Sequence, residues 1–371
     1  MRILFATDHT YLPHRVGGAE SSTHDLATTL QERGIDVVVL AAVPTSDLPS
    51  RILHRVFGHA RLQFDTFMGY PVVRARHPVE VVDEILERFA PSAVVVTSGS
   101  YAPLSTAFLR RGVPTIAYLR DVELANLGGT LPREPHVGYI SNSRFNAARL
   151  TAAAGIRPVV IPPLVRPDRV RTESSRSRVL FVNPVPEKGV ELVFSLAKTR
   201  PDIAFDVVEC WPLSRVAWDR LAARAQAISN ISVHRAEIDP SRVYRHAKIV
   251  LVPSIWEESW GRVVTEAHCS GIPALASNRG GLPESVGPGG ILVGHDAPLE
   301  HWRVALSEIW DDPARYSTFV AAARRYAGRP EIQPGSLIDR FVDFVKEHIA
   351  YCSSTALRTP RRSPASAPDP R

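Results

Sequence analysis

The densest group of reactive side chains is the run Glu257-Glu258-Ser259-Trp260-Gly261-Arg262-Val263-Val264-Thr265-Glu266-Ala267. It follows Ile249–Pro253, an apolar run of strand length, and a helix is predicted to start near Gly261 or Arg262. The amides of Gly261, Arg262, Val263 and Val264 are then the unpaired donors of a first helical turn, which suit an anion such as a diphosphate. Gly261 keeps the approach open. Carboxylates beside such a site are poor phosphate ligands. Glu258 in the loop and Glu266 about one turn into the helix are better suited to accept hydrogen bonds from hydroxyls, such as those of ribose and a sugar. Acidic residues near a helix start also favour the helix dipole alone. That reading covers Glu258 but not the Trp256, Trp260 and Gly261 clustered around it.

Three shorter motifs carry related chemistry. In Val16-Gly17-Gly18-Ala19-Glu20, adjacent glycines before a helix let backbone N–H groups approach a phosphate; the same pair also serves as a plain strand-to-helix turn. The spacing is neither Gly-x-Gly-x-x-Gly nor a P-loop. In Val185-Pro186-Glu187-Lys188-Gly189, Lys188 follows a strand and offers a point charge to an anionic leaving group, or is a solvated turn lysine. Only four of the 44 basic residues are lysines, so a lysine at a motif position is the more informative. Ser277-Asn278-Arg279-Gly280-Gly281-Leu282-Pro283-Glu284 is another Gly-Gly turn with Pro283 at a first helical position. By itself it implies only a connection.

The elements that must hold these loops alternate. Arg2–Thr7, Ile35–Ala42, Ala93–Thr97, Pro114–Tyr118 and Val137–Ser141 read as buried strands, with helices over Ala19–Arg33, Pro103–Arg111 and Arg144–Ala154. A second series has strands at Val179–Asn183, Ile203–Val208, Ile231–His234, Ile249–Pro253 and Pro273–Ser277. Its helices are Val190–Thr199, Ser214–Ile228, Pro240–His246 and Arg262–Cys269. The seam between the series is Pro-rich Ile161–Asp168 and polar Arg169–Arg178. The pattern predicts an α/β protein of two doubly wound Rossmann-like domains, 1–165 and 166–335, facing across a cleft. A helix over Ser336–Tyr351, within 336–352, is expected to pack back across the domains. The Ser-, Pro- and Ala-rich 353–371 reads as a disordered tail.

Composition narrows the function. At 371 residues with 44% hydrophobic and 22% charged residues, the chain is neither disordered nor fibrous. No apolar run approaches the ~18 residues of a membrane-spanning helix. Cys210, Cys269 and Cys352 lack paired spacing, which argues against a disulfide framework or a cysteine zinc site and for a cytoplasmic setting. Half of the +6 net charge sits in the tail, so a nucleic-acid partner is not indicated.

Taken in order, the four motifs resemble the glycosyltransferase 4 family of retaining GT-B glycosyltransferases. Gly17–Glu20 matches its Gly-Gly-Ala-Glu loop, Glu187–Gly189 its Glu-Lys-Gly element, Glu258 and Glu266 its Glu-x7-Glu signature, and Gly280–Glu284 its Gly-Gly-x-Pro-Glu turn. The resemblance implies a nucleotide-diphospho-sugar donor as co-substrate, with no further cofactor and no metal. It implies transfer with retention to a glycan, lipid or small-molecule acceptor. Glu266 would meet the ribose, Lys188 the diphosphate, and Glu258 the donor sugar beside the reacting carbon. Gly261–Val264 would hold phosphate and sugar through the backbone, and Gly18 would reach the diphosphate as the cleft closes.

Two positions depart from the family pattern. Asn183 stands where the family usually has a phosphate-binding arginine, and a neutral amide cannot neutralise a leaving diphosphate. Lys188, the helix dipole or Arg262 would then carry more of that work. Arg120, followed by Asp121, stands near the family's usual histidine; either could face acceptor or sugar. Two other readings remain open: a nucleotide-sugar-binding protein without transfer, and a sugar-nucleotide epimerase or phosphorylase of the same architecture. Leu48–Tyr70, with Arg51, His54, Arg55, His59 and Arg61 among apolar residues, is a candidate acceptor wall or a peripheral contact with the inner face of the membrane; a solvated segment packed by its apolar side is the favoured reading.

Overall fold

A computed structural model of the chain describes residues 1–43, 61–133 and 135–356. Its first sheet grows around Arg2–Thr10 (β1). Ile3 and Phe5 enter the apolar layer on one side while Leu4 and Ala6 enter the layer on the other. A strand covered on both faces needs such an unbroken apolar run. Asp36–Ala42 (β2), Leu62–Asp65 (β3), Val72–Ala75 (β4), Ala93–Ser98 (β5), Thr115–Leu119 (β6), Val137–Ser141 (β7) and Val159–Val160 (β8) complete it in the order β3-β4-β2-β1-β5-β6-β7-β8. Among the described residues only the β3–β4 pair is antiparallel.

The second sheet holds Arg178–Val182 (β9), Ala204–Val208 (β10), Ile231–His234 (β11), Ala247–Val252 (β12), Ala274–Ser277 (β13) and Gly290–Val293 (β14), all parallel, in the order β11-β10-β9-β12-β13-β14. The order reverses at β1 in the first sheet and at β9 in the second. β1 lies between β2 and β5, and β9 between β10 and β12. The crevice of a doubly wound sheet opens at that reversal, beyond the carboxyl ends of the flanking strands. The two-domain α/β expectation therefore holds.

The last helix, Pro334–Ala356, runs beyond both ends of the expected Ser336–Tyr351. Its Ile338, Phe341 and Val345 are buried in the same layer as Phe5. The Phe341 and Phe5 rings stack with centroids 6.3 Å apart. Gly138 on β7 admits this helix, since a Cβ there would stand 3.1 Å from the Phe344 ring. Residues 353–356, expected in the tail, continue the helix because residues 334–352 have already nucleated it. The rest of the tail, like Arg51, His54, Arg55 and His59, lies outside the described residues.

Several elements exceed the sequence reading. Arg61 and Leu62–Asp65 belong to a hairpin edge, where Arg74 of β4 is buried and its Nε donates to Asp65 Oδ2 at 2.8 Å. That charged pair interrupts the apolar run by which β4 would have been recognised. The helices Val82–Phe89, Leu299–Trp310 and Pro313–Ala327 were also not anticipated. The helix expected over Pro240–His246 stops at Val243. Beyond it the His246 carbonyl accepts the Ser177 and Arg178 amides that lead into β9. Among the described residues no helix is long and apolar enough to cross a membrane.

Candidate active site

Between the carboxyl ends of the two sheets lies a cavity of about 310 Å³. A second, of about 160 Å³, adjoins it. Gly18, Val182, Cys210, Arg262 and Val263 belong to the walls of both. Much of each wall is built by loops that leave the strands at and beside the reversal points, and the loops after β6 and β7 complete the larger one.

From the first sheet, the chain leaving β1 reaches Gly17, which precedes the helix Gly18–Glu32. A Cβ on Gly17 would stand 2.4 Å from Glu20 Oε2 and 3.2 Å from Trp211 Nε1, so a side chain there would displace the Glu20 carboxylate and press on Trp211 of the other half. Gly18 is open, with only Arg262 Cβ at 3.9 Å. Burial pushes the Glu20 carboxyl above its usual range, against the lowering effect of Arg15.

From the second sheet, β9 is followed by Asn183, whose φ of 72° lies in the left-handed region that Asn tolerates better than most residues. Its amide donates to Val208 O at 2.8 Å, and its Oδ1 accepts from the Trp211 amide at 3.3 Å. Asn183 thus ties two loops together at the cavity wall. The turn Pro186–Lys188 ends in Gly189 at φ 83°, where a Cβ would meet Pro253 O at 2.1 Å. This close approach brings the loops after β9 and β12 together. Lys188 Nζ donates to Glu258 Oε1 at 2.6 Å, and Ser254 Oγ donates to the same oxygen at 2.7 Å.

The Gly280-Gly281 turn, which by itself implied only a connection, supports this carboxylate. Cβ atoms on these glycines would stand 2.4 Å from Glu258 O and 2.4 Å from Ser259 O respectively. The Gly281 amide donates to Glu258 O at 2.6 Å. Glu284 reaches across to the other half and accepts the Arg144 and Phe145 amides at 3.0 and 2.7 Å, at the start of the helix Arg144–Ala154. A carboxylate at that position complements the helix dipole. Asn142 Nδ2 to Ser259 Oγ (2.8 Å) and Arg149 to Glu257 (2.8 Å) join the same two regions.

The helix Arg262–Cys269 follows Gly261, whose φ is 92°. Among the described residues the amides of Gly261, Arg262 and Val263 have no hydrogen-bond partner, whereas the Val264 amide donates to Gly261 O at 3.0 Å. Val264 is fully buried and lines neither cavity. The expectation of a free donor there fails because the turn closes on itself one residue early. Glu266 lines the second cavity and accepts from Tyr244 Oη at 2.6 Å and Arg262 Nε at 2.5 Å. Arg262 is also not the spare cation weighed as a substitute at Asn183. Each of its three nitrogens already donates, to Glu266, to Leu164 O at 2.7 Å and to Asp25. Burial lowers the Arg262 pKa, but Asp25 and Glu266 outweigh it and hold the guanidinium above its ordinary value.

Arg120 and Asp121 follow β6 and line the larger cavity. Arg120 donates to Ala19 O at 2.8 Å and Thr23 Oγ1 at 2.7 Å, while Asp121 accepts from Tyr101 Oη at 2.9 Å. Cys210 lines both cavities, but burial pushes its thiol up to about 12, so it is no nucleophile near neutrality. Asp25, Tyr244 and Trp211 were not anticipated. Asp25 and Tyr244 sit in ordinary helical surroundings in the sequence, and only folding brings them to Arg262 and Glu266. Among the described residues no group of His, Cys, Asp and Glu side chains is arranged to hold a metal.

Two family models cover the halves in turn. Residues 16–169 match Glycosyltransferase Family 4, and residues 171–326 match Glycosyl transferases group 1. The chain belongs to the glycosyltransferase 4 family. Along its length this glycosyltransferase is 27% identical to a D-inositol 3-phosphate glycosyltransferase of Segniliparus rotundus, over 84% of this chain and 81% of that one. A namesake from Corynebacterium kroppenstedtii is 44% identical over 39% of this chain and 34% of its own. Its fold is that of Anabaena HepE in complex with UDP-glucose (TM-score 0.74, 17% identity, 94% of this chain and 100% of that one). The sucrose-phosphate synthase of Thermosynechococcus elongatus shares it too (TM-score 0.75, 15% identity, 95% and 100%). This glycosyltransferase therefore has the GT-B architecture, two Rossmann-like domains with a cleft between them.

Proposed function

We propose that this glycosyltransferase moves a sugar from a nucleoside-diphosphate donor held between its two halves to an acceptor hydroxyl, with retention of configuration and without a metal. The observation that carries this reading is the meeting of Lys188 and Glu258. They follow β9, where the order of the second sheet reverses, and its neighbour β12, and they share one cavity with Gly18 of the first half. The donor diphosphate lies against the free amides before the helix Arg262–Cys269 and takes Lys188 from Glu258. Glu258 then turns to the sugar. The adjoining cavity, walled by Leu12, Val16, Met68, Val208 and Ile238 with Glu266 at its edge, suits a base and its ribose. Fixed donors at the leaving oxygen are the main source of rate.

The test is incubation of the full chain with radiolabelled UDP- and GDP-sugars, UDP-glucose first because HepE holds it. The acceptor panel includes polyol phosphates, to which the relatives' name points. Labelled product of unchanged anomeric configuration, formed equally in EDTA, supports the proposal. Donor binding with neither transfer nor hydrolysis would leave a nucleotide-sugar-binding protein, the reading that the neutral amide at Asn183 favours.

A further inference from the structure

The arginine expected on the leaving phosphates is absent at Asn183, and Arg262 has no nitrogen to lend. Arg120, from the other half, is differently placed. It is 7% exposed, its carbon Cζ lies 4.1 Å from the centroid of the Tyr118 ring, and it lines the cavity that holds Lys188 and Glu258. One guanidinium nitrogen is anchored on Ala19 O and Thr23 Oγ1. The other two, Nε and Nη2, are buried without a hydrogen-bond partner. A guanidinium is charged at any physiological pH, and a buried one without its full set of acceptors is costly. An anion reaching those two nitrogens would supply the charge-assisted hydrogen bonds they lack.

The anchor indicates which anion. Ala19 is the neighbour of Gly18, so the guanidinium stands one residue from the loop amide expected against the donor diphosphate. The acids nearby are otherwise engaged: Glu20 stands at Arg15 (3.3 Å), and Asp121 takes the Tyr101 hydroxyl.

We infer that Arg120 is a further catalytic residue, contacting the diphosphate of the donor from the first half of the protein and supplying across the cleft the charge that Asn183 lacks. The inference rests on the donor reading above. In the transfer, the bond from the anomeric carbon to the phosphate oxygen breaks, and its electron pair stays on the diphosphate. The acceptor oxygen bonds to that carbon, and its proton passes to the departing diphosphate. Arg120 acts on the charge that builds up on the leaving oxygen, and it does so only when the two halves are together.

The test compares affinities of the full chain for uridine and guanosine diphosphates with those for the monophosphates, by calorimetry. Arg120→Gln should weaken diphosphate binding about ten- to a hundredfold and leave monophosphate binding nearly unchanged. Arg120→Lys, which keeps the charge but not the fork, should fall between and decides the matter if the Gln variant does not fold. Thr23→Val removes an anchor and keeps the charge, so the diphosphate preference should persist. Equal losses for both nucleotide classes in the Arg120 variants would reduce Arg120 to a loop anchor, and an unchanged preference would also overturn the inference. If the wild-type chain binds neither diphosphate, the donor reading falls and takes this inference with it. If it binds them and the Arg120 variants bind them equally well, the donor reading stands and only the inference is lost.

Discussion

Arg262 and Asp25 meet across the cleft: the first residue of a helix in the second half donates to a carboxylate on the first helix of the other half, and both side chains are buried. Arg169 donates to the other oxygen of Asp25 at 2.7 Å. The Arg262 guanidinium also holds Glu266, so the position of that carboxylate is coupled to contact between the halves.

Removing one partner of a buried ion pair leaves the other charge without compensation, which costs about 3–5 kcal/mol. Asp25→Ala should therefore lower the unfolding free energy from urea titration by an amount of that order, and the midpoint with it. It should also increase the radius of gyration in solution scattering as the cleft loosens. An unchanged midpoint would show that the pair holds nothing together.

Glu266 and Glu258 should separate in kinetics. Glu266→Ala removes the carboxylate assigned to the ribose and should raise the dissociation constant for nucleoside diphosphate about tenfold or more. Glu258→Ala should leave nucleotide binding close to wild type and mainly lower kcat, because its assigned partner is the sugar. Wild-type activity in both variants would falsify the assignment.

Lys188→Ala should raise the barrier by on the order of 3 kcal/mol, roughly a hundredfold in rate. Glu258 would at the same time lose its ion-pair partner. Arginine at 188 should restore the rate only in part, since a planar fork does not fit the place of a compact ammonium. Full activity of the alanine variant in steady-state assays would remove Lys188 from the site.

Gly280→Ala places a methyl group against the backbone of Glu258 at a residue with φ 61°. The substitution should displace the Glu258 loop and lower kcat while nucleotide affinity changes less. A crystal structure of the variant with an unmoved Glu258, or an unchanged kcat, would disprove that support.

Stability should fall in acid partly through His268. Its ring is 1% exposed, and burial, then Arg329, lower its pKa from 6.5 to about 3. The unfolded chain takes up this proton as pH falls through 6.5, whereas the folded chain takes it up only near 3. The contribution is therefore complete above pH 6.5 and declines between 6.5 and 3, by about 3 kcal/mol at pH 4. Urea titrations of His268→Leu across that range should show a shallower decline than wild type. Parallel slopes would exclude His268 as a source.

The parts of the site written in local sequence were legible because each is a backbone requirement. Gly189 at Pro253 O, Gly261 before its helix and Gly280 at Glu258 each mark a place where a Cβ has no room. The buried strands β1, β2, β5 and β9 were equally plain, since covering both faces demands unbroken apolar runs. The helix Pro313–Ala327 also carries a local signal, Asp312 accepting the Ala314 and Arg315 amides before a first-turn proline.

What the chain alone determined was the alternation of strand, loop and helix, the left-handed and crowded glycines, and the charges on each loop. Which charge meets which was decided only when the sheets closed on one another. Lys188 and Glu258 are 70 residues apart, Asp25 and Arg262 237. Such partners are chosen by strand order and by the docking of two surfaces, neither of which leaves a mark within one turn of the residue concerned. That is why Arg262 read as a free cation and folds as a committed one, while Arg120 keeps two nitrogens free.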